Sequence, residues 1–224
     1  MNTTIIIPTL NEAETLGGVL AAIPPSLAAE ILVVDGGSTD GTPAIAEAGG
    51  ARLISEPRRG YGRACAAGVC ATKGEIVVFL DADGADDPRQ LPELVAPLVS
   101  GQAEMALGSR LAGQIEPGAM LWHQKAGNWL SAWLIQNLYG LPITDLSPFR
   151  AVLRAELLKL DLQDMTYGWP TEMIVKAARN SWRIRELPVN YHRRQGGQSK
   201  ISSTWRGSLL ATYHILNVIL RYAW

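Results

Sequence analysis

Five consecutive apolar residues, Ile76-Val77-Val78-Phe79-Leu80, run directly into Asp81-Ala82-Asp83. A run this short and this rich in β-branched residues reads as a fully buried strand. Two carboxylates at the end of a buried strand need a reason, because an unpaired buried charge is costly. Side chains alternate along a strand, so Asp81 and Asp83 point the same way. That spacing can offer oxygen ligands to one hard cation, Mg²⁺ or Mn²⁺, which bridges to a substrate's phosphates. The bland alternative is a solvated acidic loop that caps a helix. Asp-x-Asp alone does not separate the two.

The rest of the first half supplies context. Residues 3–8 read as a first buried strand, followed by Asn11 and Glu12 and by a helix over 12–22 that Pro24-Pro25 ends. Residues 31–34 form a second strand closing on Asp35. Gly36-Gly37 permits a sharp turn there, and Ser38, Thr39 or Asp40 can cap the next helix. A third strand over 52–55 leads into Arg58-Arg59-Gly60-Tyr61-Gly62-Arg63-Ala64, a glycine-bearing loop that opens a helix to about Thr72. A helix near 90–99 and a fifth strand over 104–107 complete the alternation, which argues for a parallel sheet with helices on both faces. Asn11, Glu12, Asp35, Asp81, Asp83 and Arg110 then gather at the carboxyl edge of the sheet, where ligands bind. No Gly-Lys-Ser/Thr follows the glycine loop, and no Gly-x-Gly-x-x-Gly follows the first strand. Neither a P-loop nor the nicotinamide dinucleotide fingerprint is therefore present.

At 224 residues the chain is long enough for one large domain with a sizeable core. Pro8 interrupts the early apolar run and no basic leader precedes it, so no secretory signal is expected. Cys65 and Cys70, five apart in a predicted helix, indicate neither a disulfide framework nor a metal site, and fit a reducing compartment. The formal net charge is −1, but residues 1–109 hold 6 Lys/Arg against 14 Asp/Glu, and residues 110–224 hold 14 against 7. The acidic half suits a metal. The basic half suits an anionic partner or a membrane surface, or else is a solvated face. No nucleic-acid partner is expected, and nothing in the chain speaks to oligomeric state.

Taken in order, IIIPTLNE, VVDGGSTDGT, RRGYGRA, the strand into Asp-Ala-Asp-Gly, and LGSR resemble the family-2 glycosyltransferases of GT-A fold. Among them the chain is most similar to the branch that makes dolichyl-phosphate mannose and glucose. The resemblance implies that Pro8, Asn11, Glu12 and Asp35 hold the nucleoside of a sugar nucleotide, with Asp81 and Ala82 beside the ribose. It also implies that Asp81 and Asp83 serve the metal, Asp83 as principal ligand. The branch often places Gln where Ala85 stands here, so Asp86, Asp87 or water would take that role. Ordinary readings also exist: Glu12 as a helix-N-terminal carboxylate, Asp35 as a turn residue.

In the second half, Arg110 resembles the arginine that meets phosphate in the lipid-phosphate branch, and is a candidate catalytic residue on that ground. Residues 120–139 carry helical spacing with Trp122, Ala126, Trp129 and Trp133 on one stripe. Such a stripe is ordinarily core, yet three Trp with Lys125 nearby also suit a bilayer interface. Polar residues exclude a transmembrane span there. Residues 144–150, TDLSPFR, resemble the family segment between donor and acceptor sites, which makes Asp145 a candidate base and Ser147 or Arg150 a phosphate contact. Glu172, before an amphipathic helix, rivals Asp145. Residues 184–191 read as a strand. Residues 192–200, HRRQGGQSK, form a cationic glycine loop that resembles the branch's Arg-x-x-Gly-x-Ser-Lys segment, carried by Arg193 or Arg194, Gly197, Ser199 and Lys200. Residues 207–220 are apolar but short for a span of about 20 residues, and read as a core or interfacial helix.

The expectation is an α/β GT-A glycosyltransferase: three layers, a mostly parallel central sheet, and amphipathic C-terminal helices. One domain spans 1–224, with donor and metal served by 1–110 and the acceptor by 111–224. The implied activity is inverting, metal-dependent transfer of a hexose from UDP- or GDP-hexose to a polyprenyl- or dolichyl-phosphate acceptor, in the cytoplasm or at the cytoplasmic face of a membrane. Rivals are a transferase with a soluble hydroxyl acceptor, which would need Asp145 or Glu172 as base, and a non-catalytic nucleotide-sugar-binding protein. A nucleotidyltransferase would need a basic phosphate loop after the first strand, and PTLNE does not supply one.

Overall fold

Ile5, Ile6 and Ile7 in β1 (Thr3–Thr9) are all fully buried, as only a strand covered on both faces allows. Each such side chain is worth roughly 1.5–3 kcal/mol over an exposed one, which keeps β1 off the sheet edge. The structure, a computed structural model, describes residues 1–27, 30–196 and 205–223. β1 pairs in parallel with β2 (Glu30–Asp35) and β4 (Ile76–Phe79), so that Ile6 faces Leu32 on one side and Phe79 on the other. β3 (Arg52–Ser55) adds in parallel outside β2. Helices α1 (Leu16–Ala22), α2 (Thr42–Ala48), α3 (Tyr61–Ala71) and α4 (Leu91–Val99) provide the crossovers, and β5 (Met105–Ser109) follows. The predicted helix over 12–22 begins only at Leu16, because residues 13–15 form a turn.

The sheet holds seven strands in the order β3-β2-β1-β4-β6-β5-β7. α5 (Trp122–Tyr139) leads toward β6 (Arg150–Leu153). The sequence pattern gives no strand at β6, and the sheet is not purely parallel: β6 lies antiparallel between β4 and β5, with Ala151 facing Val78 on one side and Ala106 on the other. α6 (Arg154–Lys159) and α7 (Trp169–Arg179) come next. β7 (Ile184–Pro188), which pairs in parallel with β5, ends three residues earlier than its pattern implies. α8 (Trp205–Arg221) closes the chain's described part.

Strand alternation splits the core into two layers. Ile6, Val77 and Phe79 face α3 and α7, where Phe79 meets Trp169 edge to face at 4.9 Å. Ile5, Ile7 and Val78 face Leu16, Leu20, Leu91 and Leu94. Gly68 lets α3 lie directly on β1, since a Cβ there would come within 2.6 Å of Ile6. The Trp stripe of α5 is not core: Trp122, Trp129 and Trp133 are 80%, 64% and 49% exposed, because the helix turns Ser131, Ala132 and Ile135 inward. Leu121, Leu130 and Leu138 on the same segment are also exposed, as are Tyr213 and Leu220 of α8. Among the described residues no helix is long and apolar enough to cross a membrane. Cys65 is buried and Cys70 exposed, both as free thiols.

Candidate active site

The loops after β1 and β2 are laced together. Asn11 adopts a left-handed conformation (φ 52°), donates its backbone N–H to Ser38 Oγ at 2.8 Å and accepts from Thr39 N at 2.8 Å. Glu12 is buried, and its N–H reaches Thr42 Oγ1 at 2.9 Å. Asp35 Oδ2 accepts the N–H groups of Gly37 and Ser38 at 3.1 and 3.0 Å, whereas its Oδ1 is buried with no partner. Such an atom is costly unless something is meant to meet it. Pro8, Glu12 and Gly36 line a cleft of about 670 Å³, whereas Asn11 and Asp35 do not line it.

Asp81, Ala82 and Asp83 line the same cleft beyond β4. Tyr61, at the start of α3, donates its hydroxyl to Asp81 Oδ1 at 3.2 Å. Burial, and then the Asp83 charge, lift the Asp81 carboxyl above the ordinary carboxylate range. Asp83 Oδ1 accepts Ala85 N at 3.0 Å and its Oδ2 meets Arg194 Nη1 at 3.2 Å. Ala85 is itself buried. Of its two acidic neighbours, Asp87 is committed: it accepts from Arg89 N, Nε and Nη2 at 3.1, 2.8 and 2.9 Å. Asp86 is buried with an unpartnered Oδ1, and burial followed by the Asp81 charge raise its carboxyl. Among the described residues no three His, Cys, Asp or Glu converge on one point. The set nevertheless fits Mg²⁺ or Mn²⁺, which commonly take one or two carboxylates and complete their shell with substrate phosphates and water. Asp81 and Asp83 supply hard oxygens at the cleft, with the orphaned Asp86 oxygen adjoining them in sequence.

Arg110 lies across the cleft at the end of β5. Its N, Nε and Nη2 all donate to Asp145, at 2.8, 2.8 and 2.7 Å, and its guanidinium sits 5.1 Å from the centre of the Tyr191 ring. Asn128 of α5 adds a hydrogen bond to Asp145 and accepts Leu146 N at 3.1 Å. Asp145 is fully buried. Burial alone would raise its carboxyl, but the Arg110 hydrogen bonds and charge outweigh it and hold the group below its usual range. Asp145 is thus an anchor for Arg110, and its geometry is not that of an available base. Glu172, the rival candidate, does not line the cleft and accepts from Gln163 N, Asp164 N, Tyr222 Oη and Lys176 Nζ at 2.9, 2.7, 2.7 and 2.8 Å. It ties α7 to the end of α8. Ser147 is also buried outside the cleft, its Oγ accepting Phe149 N at 3.2 Å. Arg150 is buried among carbonyls, those of Ser147, Pro148 and Pro170, and is spent on holding the chain.

Arg194, not Arg193, enters the cleft. Arg193 turns outward to Pro117 O at 2.6 Å, while Arg194 Nη2 meets both Glu12 oxygens at 2.5 and 2.6 Å. Arg194 thus bridges the carboxylates of Glu12 and Asp83. Gly197, Ser199 and Lys200 lie outside the described residues. Sequence reasoning gave no role to Tyr61, Asn128, Tyr191 or His123. All four line the cleft, and His123 Nε2 is buried there without a partner. All four stood in stretches that drew attention, Tyr61 in the glycine loop, His123 and Asn128 in the Trp-bearing helix and Tyr191 at the end of the last predicted strand, but none carried a sequence signal of its own.

A mostly parallel α/β sheet with acidic loops at its carboxyl edge, an Asp-x-Asp at the end of β4 and an arginine lining the same cleft is the arrangement of a GT-A fold. Residues 4–160 match glycosyl transferase family 2, and the chain belongs to that family. It is 43% identical over 218 residues to an uncharacterized glycosyltransferase of Mycobacterium tuberculosis, covering 96% of this chain and 97% of that one. It is 33% identical to the undecaprenyl-phosphate mannosyltransferase of Micrococcus luteus, over 90% of this chain and 88% of the other. Glucosyl-3-phosphoglycerate synthase of M. tuberculosis, crystallised with Mn²⁺, UDP and glucosyl-3-phosphoglycerate, superimposes with a TM-score of 0.78 at 26% identity, covering 99% of this chain and 80% of that one. The chain is a glycosyltransferase with a GT-A fold.

Proposed function

We propose that the protein transfers a hexose from UDP- or GDP-hexose to a polyprenyl phosphate, with inversion at the anomeric carbon. The observation that carries this reading is the state of the two candidate bases. Asp145 is fully buried and clamped by Arg110 and Asn128, and Glu172 is outside the cleft. A hydroxyl acceptor needs a base to take its proton, whereas a phosphate acceptor arrives already ionised near neutral pH and needs cations to position it. Arg110 is such a cation: burial disfavours its charge, but the hydrogen bonds and charge of Asp145 outweigh it. The names of sequence relatives that act on undecaprenyl and dolichyl phosphates support the same acceptor class.

In this reading Glu12, Asp35 and the loops around them hold the nucleoside, with Pro8, Asn11 and Ala82 shaping its pocket. Asp81 and Asp83 face the diphosphate, and Tyr61 fixes the Asp81 carboxylate. A divalent cation there, Mg²⁺ or Mn²⁺, would stabilise the charge that develops on the departing diphosphate. Arg110 orients the incoming phosphate oxygen toward the opposite face of the sugar. Residues 1–110 serve the donor and 111–224 the acceptor, with Ser199 and Lys200 as further acceptor-phosphate contacts. The apolar side of the cleft, at Met120, Leu146 and Ile215, adjoins the helices whose Trp122, Trp129, Trp133 and Tyr213 are exposed. Amphipathic helices of this kind lie in a bilayer interface, so the protein works peripherally, at the cytoplasmic face of a membrane.

One observation favours a soluble acceptor instead: the structural likeness to a synthase crystallised with glucosyl-3-phosphoglycerate. The decisive experiment is a donor screen, UDP- and GDP-hexoses with Mg²⁺ or Mn²⁺, run against a polyprenyl phosphate and against 3-phosphoglycerate. Radiolabelled sugar should partition into organic solvent with the prenyl acceptor only. Transfer confined to the soluble acceptor overturns the proposal, as does an absence of transfer to either.

A further inference from the structure

We propose that Arg194 is a built-in counter-cation that competes with the donor's divalent cation for Asp83, so that this cation binds weakly until a diphosphate arrives with it. The inference rests on the reading of Asp83 as a cation ligand. One guanidinium joins two carboxylates from distant parts of the chain: Nη2 meets Glu12 Oε1 and Oε2 at 2.5 and 2.6 Å, and Nη1 meets Asp83 Oδ2 at 3.2 Å. Its Nε is spent on Gly196 O at 2.8 Å. Asp83 is then engaged at both oxygens, because Ala85 N already uses Oδ1.

The segment that carries Arg194 is pinned by backbone hydrogen bonds to the loops after β4 and β5. Tyr191 N donates to Gln114 O at 2.8 Å, His192 N to Ala85 O at 2.8 Å, and Gln195 N to Asp83 O at 3.2 Å. Gly84, with φ +73°, permits that approach, since a Cβ there would press on the Gln195 side chain at 3.1 Å. The backbone thus delivers the guanidinium to Asp83 rather than leaving it to wander in solvent, and the arginine side chain is only 23% exposed.

A dication and a guanidinium on the same carboxylate oxygen repel each other, and partial burial limits screening of that repulsion. The cation must therefore evict Nη1 from Asp83. Alone it gains only carboxylate oxygens, from Asp81 and Asp83, for that work. Accompanied by a nucleoside diphosphate it gains phosphate oxygens as well, which is the ordinary way such ions complete their shell. Glu12 remains available to keep the displaced guanidinium at the cleft mouth. The arginine discriminates between the bare ion and the ion delivered with donor.

The test is Mn²⁺ titration of the folded protein without nucleotide, read by the electron paramagnetic resonance signal of free Mn²⁺. Arg194→Gln should tighten Mn²⁺ binding roughly three- to tenfold, the scale of a partly exposed charge-assisted contact. Arg194→Lys, which keeps the charge but not the fork, should tighten it by less. Arg193→Gln removes a neighbouring charge that does not touch Asp83, and should leave the affinity within about twofold. Equal or weaker Mn²⁺ binding in both Arg194 variants overturns the proposal, and so does a gain in Arg193→Gln as large as that in Arg194→Gln, which would mark a general charge effect. Asp83→Asn separates the layers. Loss of binding there with no gain in the Arg194 variants refutes the counter-cation alone, whereas binding unchanged in Asp83→Asn refutes the cation reading of Asp83 and the proposal with it.

Discussion

Asp145→Asn distinguishes an anchoring carboxylate from a chemical base. The substitution keeps the shape and removes the charge. It leaves Arg110, 15% exposed, without its counter-ion and turns an amide nitrogen toward donors that met an oxygen. Removing one partner of a buried pair costs about 3–5 kcal/mol. The contact of Arg110 with the Tyr191 ring and its residual exposure offset part of that, so about 2–4 kcal/mol is expected. For a chain of this size each kcal/mol moves Tm by about 2–4 °C, which gives a fall of about 5–15 °C in a thermal melt followed by circular dichroism. The pH dependence has a definite sign. Asp145 has a folded pKa below its ordinary value, so its contribution is complete above the unfolded carboxylate pKa and is lost as pH falls through the folded one. The gap between wild type and variant should be widest near neutrality and close in acid. Transfer should fall with it, because Arg110 loses its orientation, and the double variant Arg110→Met/Asp145→Leu should recover stability but not activity. A Tm within about 1 °C of wild type together with abolished transfer would refute this reasoning and make Asp145 a direct participant in proton transfer.

Glu172→Gln should also destabilise by about 2–4 kcal/mol, since it removes the charge that Lys176 and two backbone N–H groups face. Its folded pKa is likewise lowered, burial being outweighed by those donors, so this gap too should close in acid, with kcat per folded molecule unchanged. A large loss of kcat in a fully stable Glu172→Gln protein would return the residue to the chemistry. Asp35→Ala should weaken UDP or GDP binding about tenfold, or ~1.4 kcal/mol, by calorimetry. Unchanged affinity would leave Asp35 as the turn residue its Gly37 and Ser38 contacts also describe. Serine at Trp122, Trp129 and Trp133 together should abolish co-sedimentation with anionic liposomes while leaving Tm unaltered. Wild type should sediment with them and be released by high salt, and failure of wild type to sediment at low salt would refute the membrane-facing role.

The strands β1, β2 and β4 were legible because their signal is local. Ile5-Ile6-Ile7, Ile31-Leu32-Val33-Val34 and the run before Asp81 are short, apolar and closed by polar residues. The carboxylates of the cleft were legible for the same reason, since each stands at a strand end. β6 was not. Arg-Ala-Val-Leu runs straight into Arg-Ala-Glu-Leu-Leu, which reads as helix, and the strand exists only because β4 and β5 offer edges on both sides. The Trp stripe carried a periodicity but no direction, and helical spacing is the same whether the stripe faces core or solvent. The roles of Asp145 and Glu172 depended on partners 35 residues away at Arg110 and 50 away at Tyr222. No spacing rule reaches that far.

The antiparallel strand inside the sheet also sets a timetable for synthesis. β1 to β4 pair only with one another until β6 arrives, so the first 79 residues can assemble as they leave the ribosome. β5 has no such option, because its partners among the described residues are β6 and β7, which emerge some 40 and 75 residues later. Between those moments the nascent chain carries an open edge on β4 and two on β5, Met105-Ala106-Leu107 among them. Unpaired apolar edges template association between chains. A pause while residues 150–153 are still inside the ribosome would hold the protein at its most aggregation-prone stage, and their emergence would relieve it.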